Sequence, residues 1–244
     1  MARISKTQID PDNVPVHVGI IMDGNGRWAA KRFLPRIAGH QAGVDALKKI
    51  SKYASKLGIK YVTVYAFSTE NWKRTEEEVS GIMRLLIHYL RNAETELAGD
   101  DARIRVIGER SRLSPEIRAE IDRVEKVTAG NKTINVTLAI NYGSREEITR
   151  CMRIAAQKAA AGELKPNEID DKFIASQMYT DFMPDPDLII RTSGEERISN
   201  FLLWQSAYSE LYFDDTLWPD FDERCLERAV LEYQKRNRRF GGRI

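Results

Sequence analysis

The chain has 244 residues, with 38 Lys and Arg against 36 Asp and Glu, for a formal net charge of +2. So even a balance argues against a nucleic-acid-binding protein, which ordinarily carries a clear basic excess. With 42% apolar and 30% charged residues, the composition excludes a disordered segment and suits a folded globule.

Residues 1–15 (MARISKTQIDPDNVP) are polar and carry Pro11 and Pro15. They read as a lead-in without the apolar stretch of a secretory signal, and a single domain is expected over 16–244. Apolar runs rich in Val, Ile and Tyr follow at VHVGIIM (16–22), YVTVYAF (61–67), IRVIG (104–108), TINVTLAI (133–140), DLIIR (187–191) and ELYF (210–213). Such runs read as strands, the richest of them buried on both faces. Helical patterns lie between them at 42–57, 76–98, 115–128, 145–161 and 222–238, with Ser114 before Pro115, and Asp222, as helix starts. The alternation predicts an α/β fold with a mainly parallel six-stranded sheet flanked by helices on both faces.

In the 76–98 segment, Val79, Ile82, Leu86, Leu90, Ala93 and Leu97 recur at steps of three and four, which marks one helical face. Met83, Leu85, Ile87 and Tyr89 extend apolar surface around the cylinder. Ordinary packing explains this pattern, and so does the lining of an apolar groove. The two cysteines, Cys151 and Cys225, form neither a metal-ligand pair nor a disulfide framework, which points to a reducing compartment. No apolar run reaches the roughly 18 residues of a membrane span. A cytoplasmic protein is expected, with peripheral contact at the inner face of the membrane left open.

The chemistry-bearing sequences follow the strands. Asp23-Gly24-Asn25-Gly26-Arg27-Trp28 follows the first and Ser68-Thr69-Glu70-Asn71-Trp72 the second; Asn141-Tyr142-Gly143-Ser144-Arg145 follows the fourth, and Arg191-Thr192-Ser193-Gly194-Glu195 ends the fifth. Four polar loops thus leave the carboxyl edge, where open α/β sheets bind ligands. GNGRWA fits the dinucleotide-binding glycine pattern. Asp23 would repel a pyrophosphate there, and the acidic residue expected at the end of the second strand is missing, which weakens a nicotinamide-enzyme reading. One carboxylate beside phosphate-binding glycines suits Mg²⁺ shared with substrate phosphates. Arg27, Arg36, Arg74, Arg191 and Arg197 could hold phosphate oxygens bidentately; His40, Ser199 and Glu210 lie near them in the motifs. Any one of these arginines could equally be a solvated surface charge, a reading that is weakest for Arg191 at the end of an apolar strand. His40 serves a general-base or a structural role equally well. Trp28, Phe67 and Trp72 flank the loops as core residues or as the mouth of an apolar pocket.

Taken together, MDGNGRWA (22–29), RIAGH (36–40), FSTENWKR (67–74), NYGSR (141–145), RTSGEERISNFLLWQ (191–205), SELYF (209–213) and RRFGG (238–242) resemble the cis-prenyltransferases, and within them the bacterial undecaprenyl diphosphate synthases. The likeness runs in order from about residue 16 to the C-terminus. One departure is Ser144, where the family commonly has a second glycine.

The resemblance implies a homodimer with a deep apolar tunnel in each subunit. It implies Mg²⁺-dependent, repeated addition of isopentenyl diphosphate to an allylic diphosphate, typically farnesyl diphosphate. Undecaprenyl diphosphate, a precursor of a cell-wall lipid carrier, is the implied product. Asp23 would be the essential carboxylate, with Glu210 completing the metal site and Asn71 assisting proton removal. Gly24, Asn25, Gly26, Arg27, Arg36 and His40 would hold the allylic diphosphate, with Trp28 beside them. Ser68, Thr69, Glu70, Trp72 and Arg74 would line the junction between substrates. Arg191, Arg197, Ile198 and Ser199 would hold isopentenyl diphosphate, and Arg239-Phe240-Gly241 would reach across the dimer. A catalytically silent scaffold subunit of the same fold is the competing reading. The basic tail QKRNRRFGGR (234–243) is too short a patch to imply nucleic acid.

Overall fold

In the computed structural model, which describes residues 9–97 and 101–236, the strands are β1 (His17–Ile21), β2 (Tyr61–Ser68), β3 (Ala102–Ile107), β4 (Ile134–Tyr142), β5 (Leu188–Thr192) and β6 (Glu210–Asp214). The helices are α1 (Asn25–Ala30), α2 (Arg36–Leu57), α3 (Glu76–Leu97), α4 (Pro115–Val127), α5 (Ser144–Ala160), α6 (Asp171–Gln177) and α7 (Glu223–Gln234). All six strands join one sheet in the order β3-β4-β2-β1-β5-β6, and every pairing is parallel. From β1 the chain steps outward to β2 on one side and later returns to place β5 on the other. The β1/β5 seam is therefore the topological switch point, where a crevice opens at the carboxyl edge.

Alternation along the strands divides the core between the two faces. Val18, Ile20, Val62, Val64, Leu138, Ile140, Leu188 and Ile190 pack into the larger cluster, with residues of α2, α3, α4 and α7. Ile21, Ala139 and Ile189 point the other way, into a smaller cluster with Tyr142, Phe201 and Leu202. Burial on both faces explains why these strands are continuous apolar runs. Helix starts follow the sequence: the side chain of Ser114 accepts from the backbone N–H of Ile117, with Pro115 at the first helical position, and that of Asp222 accepts from Cys225 N–H. Two short helices, α1 and α6, were not expected, and α2 begins at Arg36, six residues earlier than its apolar periodicity suggests. Cys151 and Cys225 are both free and buried. Among the described residues no helix is long and apolar enough to cross a membrane.

His17 is a buried titratable group in the sheet. Its Nδ1–H donates to the carbonyl of Pro184 at 2.6 Å. A carbonyl can only accept, so in the neutral ring Nε2 is left to accept from the Thr63 hydroxyl at 2.8 Å. Burial pushes the imidazole from 6.5 down to about 4, against the opposing pull of Pro184 and Asp187. A base whose folded pKa is lowered takes up its proton first in the unfolded chain, so stability falls as pH drops from 6.5 towards 4. A shift of this size corresponds to roughly 3 kcal/mol over the full window. Urea midpoints measured across pH 4–7 are expected to decline on the acid side, and His17→Gln is expected to flatten that decline.

Candidate active site

Asp23 leaves β1 at the switch point, and its backbone is fixed on two sides. Its carbonyl accepts from Trp218 N–H at 3.0 Å and from the Thr192 hydroxyl at 2.7 Å. Gly24 follows with φ 111°, and a Cβ there would meet Leu217 at 3.0–3.1 Å. Glycine is needed at this turn both for the left-handed backbone and for the space. The Asp23 carboxylate receives Arg191 Nη2 from the end of β5 at 2.9 Å, and Arg27 from α1 lies at 3.3 Å. Burial by itself would raise the Asp23 pKa, but the hydrogen bond and charge of Arg191, seconded by Arg27, hold it below the usual carboxylate value.

Arg191 is the organising cation. Its side chain is only 5% exposed, and its Nη1 donates to the Ser199 hydroxyl at 2.7 Å and to the carbonyl of Arg197. Its Nε is buried with no protein partner among the described residues. A guanidinium already desolvated and oriented in this way can meet an arriving phosphate with little rearrangement. On the other wall, the loop after β2 forms a 3-10 turn, Thr69–Lys73, closed by a reciprocal cap between Ser68 and Asn71. Asn71 Oδ1 accepts from Ser68 N–H at 3.0 Å, so the amide oxygen is engaged in shaping the turn. A neutral amide held this way orients a neighbour and is a poor proton acceptor.

These walls enclose a cleft of about 500 Å³ at the carboxyl edge, within the size range of small-molecule sites. Nine of the residues singled out from the sequence line it: Asp23, Asn25, His40, Ser68, Glu70, Asn71, Arg74, Arg191 and Ser199. Burial would raise Glu70, but hydrogen bonds, among them those from Ser68 and Asn200, keep its pKa lowered. Arg36 lines an adjoining cleft that shares His40 and Arg74. Gly24, Gly26, Arg27 and Thr69 shape the surrounding loops without lining the main cleft. Beneath it, between α2 and α3, lies an apolar pocket of about 90 Å³ lined by Val44, Leu47, Ile82, Leu85, Leu86 and Tyr89 among others. This is far below the roughly 300–1,000 Å³ of a ligand-enclosing cavity; among the described residues it is a pocket, and a deep tunnel is not shown.

Several expectations need correction. Trp28 turns away from the cleft: its Nε1 donates to Asp220 at 2.7 Å and its ring is covered by the Arg32 guanidinium at 4.1 Å. Trp72 is held in packing, edge-on to Phe67 with ring centroids 5.0 Å apart and donating to Asn141 Oδ1 at 2.7 Å. Ile198 packs against the smaller core cluster, whereas the Arg197 guanidinium, paired with Glu195, is accessible from solvent. Glu210 does not join Asp23. It opens β6 in register with Leu188, whereas Asp23 lies beyond the opposite end of the sheet. Four strand positions separate Glu210 from that edge, roughly 13 Å, and its carboxylate is paired with Arg236 at 2.8 Å. The Arg239-Phe240-Gly241 segment lies outside the described residues.

The site also contains residues that sequence reasoning passed over. Glu78, in the first turn of α3, accepts from Arg74 at 2.8 Å and Arg36 at 3.2 Å, with His40 Nε2 at 3.4 Å. Burial would raise Glu78, and the charges of Arg74, His40 and Arg36 lower it. Burial lowers His40, outweighing the contact with Glu78 that favours its protonated form. Asn200 ties three loops together: it accepts from Arg145 N–H at 2.9 Å and donates to Glu70 and Glu146 at 3.1 and 3.2 Å. The four-residue spacing of Arg74 and Glu78 was the available signal for the first; nothing local signalled the second.

Among the described residues no group of three or more His, Cys, Asp or Glu side chains could hold a metal by itself. Asp23 is ionised and stands beside two arginines at the cleft. This donor set fits Mg²⁺ in the mode where one carboxylate shares the ion with substrate phosphates and water, not an all-protein cage.

A family model described as undecaprenyl diphosphate synthase matches residues 21–241. An isoprenyl transferase of Streptococcus pneumoniae is 50% identical over 236 residues, covering 95% of this chain and 94% of that protein. Among solved structures, lavandulyl diphosphate synthase from Lavandula x intermedia, in complex with dimethylallyl diphosphate, superposes with a TM-score of 0.91 at 39% identity. It covers 94% of this chain and 99% of that one. A probable undecaprenyl diphosphate synthase of Campylobacter jejuni superposes with a TM-score of 0.77 at 33% identity, with the same coverage.

Replacing Arg191 with lysine keeps the charge but loses the fork that reaches Asp23 and Ser199 together. Arg191→Lys is expected to lower kcat/KM by roughly 10²–10³, measured by steady-state kinetics, with the thermal transition checked in parallel.

Proposed function

The chain belongs to the undecaprenyl diphosphate synthase family and is a prenyltransferase; on that premise we propose that it adds isopentenyl diphosphate repeatedly, in the cis configuration, to an allylic diphosphate such as farnesyl diphosphate. The observation carrying this reading is the Asp23–Arg191–Ser199 constellation at the switch point, with an apolar pocket directly below it. A diphosphate leaves only if its growing negative charge is stabilised, and prepositioned arginines supply that without reorganising.

In this reading Arg27, with Gly24 at the turn and Asn25 and Gly26 in the first turn of α1, seats the allylic diphosphate together with Arg36 and His40. Arg191, Arg197 and Ser199 seat the isopentenyl diphosphate, and the Ser68–Arg74 turn holds the two substrates at their junction. Two adjacent seats bring the reacting carbons together and so remove much of the entropic cost of a bimolecular step. Mg²⁺ would be held by Asp23 and the substrate phosphates, neutralising charge on the departing diphosphate. Asn71 orients a water or the departing diphosphate, which takes the proton. The growing chain enters the space between α2 and α3, which must widen from its present pocket; undecaprenyl diphosphate is the proposed product.

The protein acts as a homodimer at the inner face of the membrane, and the 239–241 segment completes the partner's isopentenyl site. Glu210 pairs with Arg236, and within one chain it stands away from Asp23. A catalytically silent scaffold would have no use for an ionised Asp23 held between arginines in a cleft.

Incubation with farnesyl diphosphate and labelled isopentenyl diphosphate, followed by chromatography, is expected to give polyprenyl diphosphates. Turnover is expected to stop with EDTA and return with Mg²⁺. Asp23→Ala is expected to lose at least 10²–10³ of the rate, as an order of magnitude, while still folding. Binding of farnesyl diphosphate without consumption of the labelled substrate would favour the scaffold instead. Leu85→Trp, which adds bulk to the apolar pocket, is expected to shorten the product by several isoprene units; an unchanged chain length would return α3 to a packing role.

A further inference from the structure

The loop joining α1 to α2 presents a large ring to water on a costly backbone. This loop and the helix ends that flank it, residues 30–37 (AKRFLPRI), are all exposed, with Phe33 97%, Leu34 44% and Ile37 38% accessible. Phe33 has φ 56°, a left-handed conformation unfavourable for a bulky side chain. Among the described residues it alone combines a positive φ with a large exposed apolar side chain. The turn is nonetheless well defined: Phe33 N–H donates to Ala30 at 3.1 Å and Leu34 N–H to Ala29 at 3.0 Å. The ring is held outward by the chain, and neither backbone energy nor packing within the protein accounts for its presence. A strained, exposed residue of this kind points to function.

The surroundings indicate what it meets. No Asp or Glu occurs between Asp23 and Asp45, while Lys31, Arg32 and Arg36 flank the apolar residues. Arg32 and Arg36 are paired with Asp220 and Glu78, and Lys31 has no ion pair among the described residues. Pro35 and Ile37 also line the cleft that contains His40 and Arg74, so the finger stands beside the mouth of the substrate site. One protruding ring covers far less than the roughly 1,200–2,000 Å² of a stable protein interface, which disfavours a second copy of the chain as its partner. An anionic lipid surface meets both requirements, taking the apolar tip at its acyl boundary and the cations at its phosphates.

We propose that the 30–37 loop is a docking finger for an anionic bilayer, with Phe33 and Leu34 inserted and Lys31 at the headgroups. The proposal rests on the prenyltransferase reading, in which the apolar product must pass from the adjacent cleft into a membrane.

Flotation of the full chain with phosphatidylglycerol/phosphatidylcholine vesicles, and with phosphatidylcholine alone, tests it. Phe33→Asn combined with Leu34→Ser suits the fold, because asparagine tolerates the left-handed turn. Wild type is expected to float with the anionic vesicles and much less with the neutral ones. The double variant is expected to partition about tenfold more weakly, and Lys31→Gln about fivefold more weakly on the anionic vesicles. Met152→Ser, at an exposed position on α5, is expected to behave as wild type. In detergent the double variant should make product at the wild-type rate; absence of product from both chains would sink the enzymatic reading, while flotation reports on docking separately. The proposal is overturned if wild type ignores anionic vesicles or if the double variant floats equally well. It is also overturned if loss of flotation accompanies a dimer-to-monomer shift, which would assign the finger to a second copy.

Discussion

The contact between Asp23 and Arg191 is the constraint on which the site depends. It joins the carboxyl ends of β1 and β5, the two strands on either side of the topological switch point. Arg191 is buried and Asp23 is partly exposed, so removing Asp23 leaves a buried cation without its counter-ion. Because Arg191 also fixes Ser199 and the backbone at Arg197, the same guanidinium sets the shape of the loop after β5. One interaction thereby links the sheet's topology to the position of an ionised carboxylate and a desolvated cation at the rim of a single cleft.

The remaining parts are arranged around that pair by ordinary forces. The 3-10 turn after β2 is capped by its own Ser68 and Asn71, and Asn200 holds it against the start of α5. Glu78 neutralises Arg74 and Arg36 across from Asp23, so the cationic wall of the protein without substrate carries an internal counter-ion. In the proposed function an incoming diphosphate would have to compete with that carboxylate, which would penalise weak anions more than strongly charged ones. Below the charged rim, the half-buried apolar side chains of α3 face α2 across a small pocket. Polar capture and apolar accommodation thus meet at one edge of one sheet.

Much of this was legible in the residues. Val- and Ile-rich runs gave the strands because both sheet faces are covered, and glycine-bearing polar loops marked the carboxyl edge. Short elements were not legible: the six residues of α1 and the seven of α6 are too few to show a period. Trp28 was misplaced because adjacency to the Asp23 loop says nothing of direction, and the turn of α1 carries its indole to Asp220, 192 residues away. Glu210 could have been placed correctly, since a residue that opens a parallel strand lies at the amino edge, away from loops that leave the carboxyl edge. Glu78 was hidden in a run of three glutamates at a helix start, where the helix dipole already gives acidic residues a reason to occur. Asn200 depends on contacts between residues 54 to 130 positions apart, and no local pattern reports those.

Whether Asp23 couples a divalent ion to diphosphate in this cleft is read by titration calorimetry with inorganic pyrophosphate, with and without Mg²⁺. Mg²⁺ is expected to tighten binding to the wild-type protein by at least tenfold, and Asp23→Asn to remove this dependence. Equal Mg²⁺ dependence in both proteins would contradict that coupling.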